Sequence, residues 1–134
     1  MMKFLFLVLF SSIWSAQIQL GNEILTVEIA DTHETRAKGL MGRPELQEGH
    51  GMLFVYKTPE IAYFWMKDTL IPLSLGYFSR EKRLIQIIDM DPPKGGRKTD
   101  VYPSNSPILY ALEVPQGWFK KHGIEVGTTF SFVN

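Results

Sequence analysis

Glu113 interrupts an apolar run, ILYALEV from Ile108 to Val114, at a place where a carboxylate has chemical consequences. Taken as a strand, the run sets Leu109, Ala111 and Glu113 on one face and Tyr110, Leu112 and Val114 on the other. If the first face is buried, the carboxylate needs a cation or several hydrogen bonds, and Arg36, Arg43 and Lys67 are the candidate partners. If that face meets water, Glu113 is an ordinary surface acid. The other conspicuous stretch is YFWMKDT, Tyr63 to Thr69. Alternation sends Phe64 and Met66 into a core, which their burial energy fully explains, and sends Tyr63, Trp65 and Lys67 the opposite way. That second face either lies beneath the chain's own loops, which is the reading we adopt, or floors a ligand cleft in which a ring stacks and a cation orients.

The remaining chemistry-bearing residues form no recognised pattern. His33, His50 and His122 lie far apart, without the paired spacing of a metal motif, and read as structural or surface side chains. Asp89 and Asp91 would share a strand face as a carboxylate pair, but they read more simply as a strand end entering a polar loop. There is no G-x-S-x-G elbow, phosphate loop or dinucleotide fingerprint. The chain has no cysteine, which excludes disulfides, thiolate ligands and cysteine nucleophiles together. No metal or other cofactor is expected.

The elements that must position these residues are mostly short strands. Residues 1–16, MMKFLFLVLFSSIWSA, carry Lys3, an apolar run and small residues at Ser15 and Ala16, the layout of a secretory signal peptide. Export to the periplasm or the extracellular space is therefore expected, with cleavage near Ala16 and no membrane span afterwards. The leader takes Lys3 with it, so residues 17–134 carry 13 basic and 14 acidic residues and predict no nucleic-acid partner. Gly21-Asn22 reads as a hairpin turn between Ile18–Leu20 and Glu23–Ala30. Asp31 to Glu34 reads as an N-cap box opening a short helix over His33–Lys38 that stops at Gly39.

Further strands are predicted over Met52–Tyr56, Ile61–Met66, Leu70–Phe78, Arg83–Asp89, Ile108–Val114 and Thr128–Val133. Lys57–Glu60 reads as a turn, and Pro72 as an edge or bulge within its run. DPPKGGRKTD, Asp91 to Asp100, reads as loop, and Gly117–His122 as one helical turn. The fold class is mainly β: a single compact antiparallel β-sandwich or squashed barrel with one or two short helices.

Read together, TRAKGLMGR (Thr35–Arg43), GMLFVY (Gly51–Tyr56), FWMKDTLIPL (Phe64–Leu73), YPSNSPILYALE (Tyr102–Glu113) and GIEVGT (Gly123–Thr128) resemble the domain-of-unknown-function 192 family. The resemblance implies a compact, β-sandwich-like domain, often exported in bacteria, with no established activity. The family's recurring positions include Arg36, Gly39, Leu40, Met41, Arg43, Phe64, Trp65, Met66 and Thr69 here. One departure stands out: the family usually has an aspartate after "PL", where this chain has Ser74.

Three functional classes follow. A binding module for a small anionic or polar envelope ligand would use Arg36 and Arg43 as planar donors, Trp65 as a stacking face, Lys67 as an orienting cation, and Thr69, Tyr102 and Ser104 as hydrogen-bonding groups. A cell-envelope hydrolase would use Glu113 as acid or base, but no second proton-transfer group or nucleophile is nominated. A structural or adaptor protein would meet an envelope protein partner. The first is adopted, with a polar cleft expected near Arg36, Arg43, Thr69 and Glu113.

Overall fold

Alternating burial along EILTVEIA makes Glu23–Ala30 a strand with Leu25, Val27 and Ala30 inward, and hairpin pairing with Ser15–Leu20 buries Ile18 and Leu20 beside it. These are β2 and β1 of a computed structural model that describes residues 14–95 and 98–134. Helix α1 (His33–Lys38) follows, then β3 (His50–Glu60), β4 (Tyr63–Trp65), β5 (Leu73–Phe78), β6 (Leu84–Met90), β7 (Val101–Pro103), β8 (Ile108–Pro115), α2 (Trp118–Lys121) and β9 (Phe130–Phe132).

Seven strands form one sheet in the order β6-β5-β8-β3-β2-β1-β9, and β4 pairs with β7 in a small second sheet. The two ends of the large sheet meet: Arg83 bridges Thr129, and the Leu84 amide donates to the Thr128 carbonyl oxygen at 2.8 Å. The sheet therefore curls into a half-barrel around one apolar cluster, to which both edge strands contribute through Leu84 and Phe130 and which α2 plugs with Trp118 and Phe119. Gly76 leaves room for that plug, since a Cβ there would lie 2.7 Å from the Phe119 ring. A second cluster, with Phe54, Phe64, Met66, Leu75 and Tyr77, occupies the other face beneath the β4–β7 sheet. Among the described residues no helix is long and apolar enough to cross a membrane.

The mainly β class and the two short helices hold, but the sheet is mixed. β2 runs parallel to β3, because the connection over residues 31–49, containing α1, is long enough to carry the chain back to the starting end. The cap of α1 is Thr32 rather than Asp31, and its box closes with Thr35 rather than Glu34. Lys57–Glu60 is not a turn: β3 runs through it beyond a register shift after Val55, with its polar residues exposed. Pro72 precedes β5, which is a central strand and not an edge.

Residues 1–13 of the expected leader lie outside the described residues. Ser15 and Ala16, on the leader side of the expected cleavage bond, pair with Glu28 and Val27, so cutting there would leave Gln17–Leu20 as the first strand.

Candidate functional site

Glu113 pairs across β8 with Met52 of β3 and Leu75 of β5, which puts its side chain on the second-cluster face of the sheet. It is buried, with 5% of its surface exposed, and it opens into a cleft of ≈ 260 Å³. One wall is α1 and the turn after it, carrying His33, Arg36 and Lys38. Another wall is sheet, with Tyr56 and Glu60 from β3 and Glu113 from β8. Phe54 and Phe64 pack edge to face at 4.8 Å beneath it, and Tyr63 and Trp65 stand at the rim.

Local chemistry fixes these walls. Gly39 ends α1 at φ 48°, a backbone region glycine enters without a Cβ penalty, and sits against the Phe54 ring. Leu40 can then turn inward and bury. The Gly42 amide donates to the Asp68 carbonyl oxygen at 2.8 Å, so GLMGR and FWMKDT meet at this cleft. Thr69 closes the turn from its other side, its amide donating to Met66 O and its hydroxyl to Lys67 O.

Among the described residues no hydrogen bond or ion pair engages the Glu113 carboxyl. Burial alone pushes its pKa from 4.5 up to about 8, so at neutral pH it retains its proton. Arg36 is held by donation from Nη1 to the Val55 carbonyl oxygen at 3.1 Å, with its guanidinium 4.9 Å from the centre of the Tyr56 ring. Further N–H donors remain on that fork. Tyr56 feels both walls: burial pushes its phenol up to about 12, Arg36 pulls the other way, and Glu60 and Glu113 add to the rise. The cleft can thus offer a fixed cation, a buried carboxyl and aromatic surface to one small molecule.

Of the residues singled out in the sequence, Arg36, Trp65, Thr69 and Glu113 come together here. Lys67 lies beside them, its ammonium 5.4 Å from the Trp65 ring centre. Arg43 is elsewhere, paired with Glu28 at 2.7 Å. Ser104 is buried and binds the backbone of Ala62 in both directions, and the carbonyl oxygen of Tyr102 accepts from the Tyr77 hydroxyl at 2.6 Å, so both serve the β4–β7 layer. Tyr63 and Trp65 are 70% and 49% exposed, which overturns the expectation that loops cover them: β4 is a one-layer lid, and nothing lies above it among the described residues. Tyr56 and Glu60 were missed, the first read as a strand end and the second as a turn. The only signal for either was their two-residue alternation from Phe54, which Pro59 masks.

His50 stands exposed at the start of β3, and His122 pairs with Glu23 at 3.1 Å, away from this cleft. Asp89 and Asp91 are engaged separately, by Ser74 and by Gln116. Among the described residues no three His, Cys, Asp or Glu side chains are grouped to hold a metal ion.

Comparison with known proteins bears on the whole domain. The family model described as DUF192, "Uncharacterized ACR, COG1430", matches residues 16–132. A crystal structure of a proposed transcription regulator from Sinorhizobium meliloti superposes with a TM-score of 0.83 at 27% identity, covering 90% of this chain and 95% of that one. A protein of unknown function from Novosphingobium aromaticivorans gives 0.81 at 28% identity, covering 91% and 88%. No curated protein matches the chain.

Proposed function

We propose that this chain, which belongs to the domain-of-unknown-function 192 family, is a binding protein for a small polar ligand carrying an anionic group. One observation carries the reading: a buried carboxyl, without a partner among the described residues, lines a cleft that also holds an anchored guanidinium. Buried polar groups are nearly always satisfied within the protein, and one left open toward a cavity is poised for a ligand. Arg36 receives the anionic group, and Tyr56 and Trp65 flank the ligand body. The cleft lies just below the roughly 300–1,000 Å³ usual for drug-sized ligands, which suits a metabolite of few atoms.

The leader-like residues 1–16 support a site that works outside the cytoplasm, on a ligand of the cell envelope. The regulator among the structural relatives lends no nucleic-acid role: 14 basic and 14 acidic residues leave no excess positive charge. A second reading rests on the proton that Glu113 keeps up to about pH 8, which suits a general acid. It would require turnover that Glu113→Gln abolishes.

A thermal-shift screen of the full chain against organic acids, amino acids, sugars, phosphates and nucleotides tests the binding reading, because a ligand of the native state raises its stability. A concentration-dependent shift that Arg36→Gln removes supports it. Silence across the anionic compounds overturns it.

A further inference from the structure

The cationic and the carboxyl side chains of the cleft come from different elements. Arg36 and Lys38 come from α1, whereas Glu60 and Glu113 come from the sheet. A purely anionic ligand would satisfy the cations and leave the carboxyl groups without a partner. A purely cationic one would do the reverse. From this arrangement we infer that the ligand is a zwitterion, a primary ammonium and a carboxylate or phosphate separated by a few atoms, with its anionic end on Arg36 and its ammonium on Glu113.

The inference rests on the binding reading above and adds the second end of the ligand. Glu113 has two acceptor oxygens in a cleft where Arg36 already spends one N–H on Val55 O and lies over Tyr56. No hydrogen bond reaches this carboxyl from Arg36 or another described residue, so its donors are left to a ligand, and an ammonium supplies three together with the opposite charge. The surrounding surface favours a cation there as well. Phe54 and Phe64 line the cleft together with Glu113, and ring faces attract positive charge. Burial of a lone carboxylate is unfavourable, so the same acid gives the empty site little reason to ionise and a bound ammonium a strong one.

The test is calorimetric titration of the full chain with glycine, β-alanine, γ-aminobutyrate and phosphoethanolamine, each beside its N-acetyl derivative and, for the amino acids, its amide. At least one zwitterion should bind about tenfold or more tightly than both of its singly charged derivatives. Equal binding of the N-acetyl derivative, an anion alone, overturns the zwitterion and leaves the binding reading standing. Equal binding of the amide overturns it from the other side. If no compound of this series binds while other anions from the wider screen do, the zwitterion is again overturned; if those fail as well, the binding reading falls with it.

Two variants assign the ends. Glu113→Gln should erase the preference for the free ammonium, and Arg36→Gln the preference for the free acid, each with its fold verified by melting temperature. Retention of the ammonium preference in Glu113→Gln overturns the assignment. Because the derivative series is measured on the unaltered protein, a poorly folding variant does not remove the test. Vesicles containing phosphatidylethanolamine separate a lipid headgroup from a free metabolite. Vesicle binding that Glu113→Gln abolishes supports the zwitterion as a headgroup, and binding of free phosphoethanolamine or an amino acid alone supports it as a soluble compound.

Discussion

Ser74 and Glu113 are close neighbours in the sheet, since Glu113 pairs with Leu75, yet they face opposite sides and are treated in opposite ways. Ser74 is 1% exposed and closed: its hydroxyl accepts from the Gly117 amide at 2.9 Å and donates to Asp89 Oδ1 at 2.6 Å. The Gln116 amide nitrogen knits the same side, reaching Met90 O at 3.2 Å and Asp91 Oδ1 at 3.1 Å. Glu113 is nearly as buried and, among the described residues, open. The two arginines of the TRAKGLMGR stretch repeat the contrast, with Arg43 closed on Glu28 and Arg36 keeping free donors beside the cleft. Burial alone does not separate a structural polar group from a functional one; completion of its hydrogen bonds does.

The largest effect that could break this comparison is on stability against pH. In the unfolded chain Glu113 ionises near 4.5, whereas the native protein holds its proton to about 8. The native state thus binds the proton more tightly, so stability is greatest below 4.5, falls as pH rises through that window, and levels off above about 8. Arg36, Glu60 and Tyr56 line the same cleft, Tyr56 and Tyr77 feel this carboxyl, and both phenols are pushed upward, clear of the window. The fall should reach up to about 5 kcal/mol, and Glu113→Gln should flatten it, making the variant the more stable protein above about pH 8. Denaturant titrations of both proteins across the window measure it. An unaltered slope in Glu113→Gln would mean that the carboxyl has a partner after all.

The closed side is sharpened by giving Ser74 the carboxylate that its family usually carries. Ser74→Asp would put a second acid against Asp89, which is itself exposed to solvent, and should cost about 2 kcal/mol at neutral pH, less in acid, with Asp89→Asn restoring much of it. Ser74→Ala removes only the hydroxyl and should cost about 1–2 kcal/mol, mostly by orphaning the Gly117 amide. Should Ser74→Asp prove neutral, the Ser74 network has slack, and its closure is no guide to structural roles.

What could be read from the chain follows from how local each feature is. Helix α1 carries its own cap, polar face and terminating Gly39, so its span, His33–Lys38, was legible as written. β2 was legible from alternation. The parallel pairing of β2 with β3 was not, because the partner of a strand depends on where a distant segment returns. Glu113 was half legible: its face could be named, but whether that face was core or solvent depended on β4 crossing over it. Trp65 was misjudged for the related reason that β4 belongs to a two-stranded layer, and the outer face of a single layer has nothing left to cover it.

The smallest predicted effect discriminates most finely. Arg43 and Glu28 are each about a third exposed, 32% and 27% for their side chains, so water screens their attraction and Arg43→Ala should cost no more than about 1 kcal/mol. The substitution could reach the cleft only by loosening the turn after α1. That turn is held independently, by burial of Leu40 and by the Gly42 amide on Asp68 O, so ligand affinity should change less than about threefold. Arg36→Gln, seven residues earlier and also an arginine losing its charge, should lose the anionic end of the ligand altogether. Measured side by side by melting temperature and titration, the pair asks whether an arginine's role follows from its place in the motif or from its bonding. If Arg43→Ala abolishes binding as Arg36→Gln does, the motif acts as one unit, and the division into closed and open groups fails at the residue where it is easiest to state.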